Sequence, residues 1–253
     1  MIGDCRVGCM PRYGEHHELP AHRVNYRANL WEMQQLGATD VVLPCAAGSL
    51  QAHISPSDMV VADQIVDRTR DRGDTYFDGP VATHVGVAEA YDAQMRTTVV
   101  AAARERGIAV HDGGVVVIEG PRFATRAESA FSTQMGWDVI TMTAYPEAVL
   151  ARELEMAVVN ISLVTDYDAG VVAAEGIEPV SAHQVVEVFR SNIARLRERL
   201  DTAIPALPRS EDDVAGGAVP PAVARSHPAP REHIPTAAVR VMLTRGAPAG
   251  LRS

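Results

Sequence analysis

The stretch "NISLVTDYDAG", residues 160–170, decides how this chain is read. An apolar run rich in β-branched residues ends abruptly in two aspartates one residue apart. Such a run reads as a buried strand. Residues two apart on a strand face the same side, so Asp166 and Asp168 point together if the strand persists through Tyr167. Two carboxylates brought together at an apolar strand end cannot both ionise cheaply, and one is expected to keep its proton near neutral pH. A donor carboxyl beside an acceptor carboxylate suits a ligand edge that offers an amino group next to an acceptor nitrogen, as adenine does at its 6-amino group and N7. From these eleven residues alone a second reading stays open: the pair caps the following segment, or sits solvated in the turn "DYDAG".

Working outward, "DVVLPC" (40–45), "DMVVADQIV" (58–66) and "GGVVVIEG" (113–120) join "VVNISLVTD" (158–166) as strands. Helical patterns lie between them, at 25–36, 92–106, 125–135, 146–156 and 181–203. This alternation implies an α/β fold with a central sheet flanked by helices. In the last helix Val185, Val188, Phe189, Ile193, Leu196 and Leu200 form a stripe at helical spacing, read as core packing. Residues 1–204 are therefore expected to form one domain. The tail, 205–253, is rich in Pro and Ala and lacks lasting periodicity, which reads as disorder. One run within it, "AAVRVML" (237–243), could pair as an edge strand or dock on a partner.

The net charge of −9 and the scarcity of Lys argue against a grip on nucleic acid, which needs clustered positive charge. No stretch approaches the roughly 18 apolar residues of a membrane span, and the start carries no signal-peptide pattern. Three cysteines do not make a disulfide framework. A cytoplasmic protein is expected. Cys5, Cys9, His16, His17 and His22 lie within one short segment, but their spacing is poor for zinc. Cys5, Val7 and Cys9 alternate as one strand face and are read as core, so no metal is expected.

Two junctions look built for a site. In "VVVIEGPRFATRAES" (115–129) a buried strand runs into the breaker pair Gly120-Pro121 and then a helix. Phe123 on that loop is placed to stack on a flat heterocycle, or is ordinary core. In "VITMTAYPEAVLARELEM" (139–156) a strand ends at Met142-Thr143 and Pro146 opens a helix, whose free N-terminal amides suit an anion. Thr143 would donate its hydroxyl to that anion, or serve as a cap residue.

The motifs "EGPRF", "MTAYPEAVLARE" and "SLVTDYDAG", with "MPRYGEHHELPAHRVNYRANLWEMQQLGATDVVLPCAAGSLQ" (10–51) upstream, resemble the trimeric purine nucleoside phosphorylase superfamily, specifically the methylthioadenosine phosphorylases. The likeness runs from about Cys5 to Ile204. It implies a mixed, twisted sheet wrapped by helices, a homotrimer with sites near subunit boundaries, and cleavage of a purine nucleoside by inorganic phosphate without a cofactor. Asp166 and Asp168 match the adenine-reading pair, Phe123 the base-stacking aromatic and Met142 the residue under the ribose. Ala46 matches a backbone contact near ribose and phosphate, and His17 a residue on the 5′ side. Arg12 and Thr143 match phosphate ligands.

Family members acting on 6-oxopurines place Asn at the position of Asp166, so aspartate here favours a 6-aminopurine. Near the 5′ group, members acting on free nucleosides place histidine where Ala182 stands, and a small apolar residue suits a methylthio group. Two departures concern phosphate. The family opens with a strand and a glycine-rich loop whose amides wrap the anion, and the sequence from Met1 has no counterpart to either. Tyr13 stands for the usual histidine and Cys45 for a threonine, both placed at the phosphate; neither carries a positive charge. Three functions follow, in order of preference: an S-methyl-5′-thioadenosine phosphorylase of purine salvage, a phosphate-independent nucleosidase, and a catalytically impaired nucleoside-binding protein.

Overall fold

Valine and isoleucine make up much of the strands, since branched side chains pack well on a pleated surface and stiffen poorly into helices. The computed structural model describes residues 6–171 and the short segments 223–225 and 239–244. In chain order the elements are β1 (Arg6–Pro11), α1 (Tyr26–Gln35), β2 (Ala38–Ser49), β3 (Met59–Arg68), β4 (Thr83–Val85), α2 (Ala93–Glu105), β5 (Val110–Ile118), α3 (Arg126–Gln134), β6 (Val139–Thr141), α4 (Ala144–Glu153), β7 (Ala157–Tyr167), β8 (Val223–Arg225) and β9 (Val239–Thr244). The expected helix over 181–203, with its apolar stripe and Ala182, lies outside the described residues.

Two of the helices, α2 and α3, start where side chains satisfy their free amides. Asp92 accepts from the Met95 N–H to cap α2, and Thr125 and Glu128 form a reciprocal capping box on α3. In α4 the residue Tyr145 is non-helical (φ −112°, ψ 135°), so regular helix begins at Pro146, whose fixed φ and missing N–H suit a first turn.

Seven strands form one mixed sheet in the order β1-β9-β2-β6-β5-β3-β7, and β7 also pairs with β2. That extra pairing makes β2, β6, β5, β3 and β7 close on themselves, with β9 and β1 added outside β2. Strand β2 is longer than the expected 40–45, because β7 runs parallel to it from Asp40 to Ser49 and carries the ladder past Pro44. Its alternate residues serve two cores, as a period of two requires. Val41, Leu43 and Cys45 pack with Leu30 and Met33 of α1 and Ala148, Leu150 and Ala151 of α4. Val42 joins Met95, Val99 and Ala103 of α2, together with Val159 and Ile161. Each large side chain so buried contributes about 1.5–3 kcal/mol.

Two features differ from the sequence expectation. Cys9 is exposed on β1 rather than part of the core. The run at 237–243 is not an edge strand: β9 pairs in parallel with β1 on one side and β2 on the other, so this part of the 205–253 tail belongs to the sheet.

Candidate active site

Strand β7 ends in a bulge that aims its carboxylates. Its partner Ala47 faces Val164, the next partner Gly48 faces Asp166, and Thr165 is the extra residue. The Asp168 N–H then donates to the Ser49 carbonyl at 2.8 Å, holding the chain beyond Tyr167. A Cβ on Gly48 would lie 3.2 Å from Asp166 Oδ2 and 3.4 Å from Asp168 Cβ, so the glycine makes room for both acids. Further along, the Gly170 N–H donates to Ser129 Oγ on α3 at 2.8 Å. A Cβ there would come within 2.5 Å of the Ala130 nitrogen, which explains the glycine that closes "DYDAG".

Asp166 and Asp168 line one cavity of about 400 Å³ together with Tyr13, His17, Ala46, Phe123 and Met142. Phe123 is 40% exposed, leaving its ring available to a ligand. A larger cavity of about 550 Å³ lies alongside, lined by Arg68, Glu119 and Phe131 among others, and neither aspartate lines it.

Burial pushes the Asp166 carboxyl up to about 7; the Thr165 hydroxyl, donating at 2.5 Å, pulls it down and the charge of Asp168 pushes it up. Asp168 is raised as well, again by burial first, against the Ser129 hydroxyl and a backbone N–H that favour its charged form. Its Oδ2 is buried without a hydrogen-bond partner among the described residues. Desolvation, rather than repulsion between the two acids, is the larger cause of the shift at Asp166.

The loop carrying Phe123 is tied to the strand end carrying Met142 by Arg72. Its Nη2 donates to the Glu119 carbonyl at 2.8 Å, and its Nη1 to the carbonyls of Met142 at 3.0 Å and Tyr145 at 2.6 Å. The sequence reading did not single out this residue.

The four residues matched to phosphate gather at one end. Arg12 is 3% exposed; its Nε and Nη2 donate to the two oxygens of Glu147, each at 2.8 Å, and its Nη1 to the Pro44 carbonyl at 2.8 Å. Burial is the largest single influence and works against the Arg12 charge, but Glu147, Cys45 and Tyr13 together hold the guanidinium above its ordinary pKa. Burial also pushes the Cys45 thiol up, and its Sγ lies 3.4 Å from the Thr143 hydroxyl and 3.3 Å from the Asn160 amide nitrogen. Thr143 precedes α4 but makes no side-chain capping bond, so its hydroxyl is not spent on the helix. Arg12, Cys45 and Thr143 are not among the residues lining the cavity. Tyr13 is, with its ring 4.4 Å from that of His17, which sits at a positive φ of 62°. Glu147 and Asn160 were missed from sequence; an acid in a first helical turn looks like ordinary dipole compensation.

A model of the phosphorylase superfamily matches residues 5–205. This chain belongs to that superfamily. It is 48% identical over 223 residues to a purine nucleoside phosphorylase of Streptomyces coelicolor, covering 84% of this chain and 79% of the relative. It is 47% identical over 205 residues to an S-methyl-5′-thioadenosine phosphorylase of Mycobacterium tuberculosis, covering 80% and 74%. Among solved structures, the methylthioadenosine phosphorylase of Schistosoma mansoni in complex with adenine superposes with a TM-score of 0.73 at 35% identity, covering 78% of this chain and 74% of that one. The superfamily member is thus an enzyme, a pentosyltransferase, with the nucleoside phosphorylase-like α/β fold that its motifs imply.

Proposed function

We propose that the protein cleaves S-methyl-5′-thioadenosine, or a closely related 5′-modified adenine nucleoside, with inorganic phosphate, giving adenine and the ribose 1-phosphate derivative. The observation that carries this reading is Asp166, a carboxyl whose pKa lies near 7 in a cavity that also holds Asp168, Phe123 and Met142. In this reading the base stacks on Phe123 and the ribose lies over Met142. Asp168 accepts from the 6-amino group and Asp166 gives its proton to N7. The bond from C1′ to N9 breaks with its electron pair moving into the purine, and a phosphate oxygen bonds to C1′. A positioned proton donor of this kind contributes about 10²–10⁴-fold to the rate, roughly 3–5 kcal/mol of barrier.

Phosphate is placed at the Arg12, Cys45 and Thr143 end, with Tyr13 at its edge, Ala46 beside ribose and phosphate, and His17 and Ala182 on the 5′ side. The enzyme acts in purine salvage as a cytoplasmic homotrimer and needs no cofactor. Support comes from the methylthioadenosine phosphorylases among its relatives and from aspartate rather than asparagine at 166. Measuring adenine release from methylthioadenosine against phosphate concentration tests the reading. Release that rises and saturates with phosphate is expected, and the Asp166→Asn variant should shift preference toward 6-oxopurine nucleosides. An unchanged ratio between amino and oxo substrates in that variant would remove the base assignment.

A second reading, hydrolysis by water, draws on the commitment of Arg12 to Glu147 and Pro44. Adenine release at full rate without phosphate would establish it instead.

A further inference from the structure

Strands β5 and β6 run parallel, and their last paired residues are Val117 and Thr141. Past that point the chains part: β5 leads through Glu119 and Gly120 to Phe123, and β6 leads to Met142, Thr143 and α4. Strands that part at the carboxyl end of an α/β sheet open the crevice in which ligands bind. The seam between these two is nevertheless tight. Gly120 has a φ of 66°, and a Cβ there would lie 2.6 Å from Met142 Sδ and 3.6 Å from Ala21 Cβ.

One side chain closes the seam. Arg72 lies outside any helix or strand, yet its side chain is only 3% exposed. Its Nη2 donates to the Glu119 carbonyl at 2.8 Å and its Nη1 to the Met142 carbonyl at 3.0 Å, so the guanidinium joins the two chains just where their ladder stops. The same Nη1 reaches the Tyr145 carbonyl at 2.6 Å and the Tyr26 hydroxyl at 3.3 Å, and that hydroxyl donates to the Ala21 carbonyl at 2.7 Å. Nε lies 3.3 Å from the Glu119 carboxylate, which gives the buried charge its counter-ion. Ala21, Phe123 and Met142 line the cavity that holds Asp166 and Asp168, whereas Arg72 is not among its lining residues. A planar fork of five N–H groups can bridge carbonyls on separate segments at once; an ammonium, a single point of charge, cannot hold them in that geometry.

We propose that Arg72 is a positioning residue for the nucleoside: by clasping the Phe123 loop to the Met142 strand end it fixes the distance between the ring under the base and the floor under the ribose, without touching either ligand group. What lies on Phe123 and Met142 rests on the function proposed above, whereas the coupling of the two segments does not. A ligand that uses one side of the seam tolerates its loosening; a ligand that spans both sides does not.

The test compares the parent with Arg72→Lys and Arg72→Ala. The readouts are amide exchange at residues 120–124 and calorimetric binding of adenine and of methylthioadenosine. Arg72→Lys keeps the charge beside Glu119 and should fold as the parent does, with faster exchange at 120–124. Its affinity for methylthioadenosine should fall about tenfold or more, and that for adenine less than about threefold. Arg72 also lines a second cavity of about 390 Å³ with Asn25 and Asp71 among others, through which a free guanidinium ion can reach the gap left by Arg72→Ala. Millimolar guanidinium should therefore restore methylthioadenosine binding to that variant without raising its melting temperature. Equal losses for the two ligands in Arg72→Lys, or exchange at 120–124 as slow as in the parent, would overturn the inference. If the parent binds adenine but neither binds nor cleaves methylthioadenosine, the proposed function fails, and faster exchange at 120–124 in Arg72→Lys still upholds the coupling while parent-like exchange removes it.

Discussion

The two halves of the proposed site are built on opposite principles. At the proposed base end, Asp166 and Asp168 border open space and carry raised pKa values, Asp166 held by the Thr165 hydroxyl and Asp168 by the Ser129 hydroxyl and a backbone N–H. At the proposed anion end, behind the cavity lining, Arg12 and Glu147 are 3% and 0% exposed and locked together by a two-pronged ion pair. One end is suited to passing a proton, since its charge state changes at little cost near neutrality. The other keeps a fixed charge where water cannot screen it. A third site sharpens the contrast: Arg122 and Glu128 make the same two-pronged pair at 2.8 and 2.7 Å, yet stand 63% and 48% exposed. Equal bond lengths carry very unequal consequences once solvent is counted.

The largest expected effect is at the buried pair. Glu147→Gln leaves the Arg12 charge uncompensated and should cost about 3–5 kcal/mol of stability, measured by urea unfolding. Replacing both partners, Arg12→Met with Glu147→Leu, should recover most of that stability without recovering phosphate-dependent activity. A single variant as stable as the parent would mean that the anion end is not a rigid charged core.

Next comes Gly170→Ala, which forces a methyl group into α3 backbone 2.5 Å away. A loss of about 1–3 kcal/mol is expected, together with weaker adenine binding because the turn after Asp168 must shift. Adenine binding unchanged in a destabilised variant would show that this turn is structural only.

Acidity at the base end gives a smaller, graded effect. The folded pKa of Asp166, about 7, is raised above its ordinary 3.8, so the folded state binds the extra proton over that interval. Its contribution to stability is fully present below about 4 and is lost as pH rises through about 7. Adenine affinity measured without phosphate should fall about tenfold per pH unit above that point, and Asp166→Asn should flatten the profile. The smallest effect belongs to Arg122→Ala, for which no change in melting temperature is expected. A clear drop would contradict the view that exposure decides what such a pair contributes.

Much of the base end was legible in the sequence because it is local. A strand period of two sets Asp166 beside Asp168, and the breaker Gly120-Pro121 marks the turn that leads to Phe123. The start of regular helix at Pro146 was legible for the same reason. What escaped is non-local. Arg12 and Glu147 are 135 residues apart, and Arg72 reaches Met142 across 70, distances over which no periodic pattern signals contact. The run at 237–243 was legible as a possible strand but not its place between β1 and β2, because a short apolar run looks the same whether or not a sheet has a vacant slot for it. The rank of causes at Asp166 also escaped, since burial belongs to the folded molecule rather than to the spacing of two acids.

The closed ring of five strands sets an order on how the protein comes to exist. Its last member in the chain is β7, which must pair with both β2 and β3. That same strand bears Asp166 at its end. A nascent polypeptide that has emerged only as far as α4 has neither a closed ring of strands nor Asp166, and long-range pairings of this kind form slowly. The proposed proton donor and architectural closure thus arrive with the same strand.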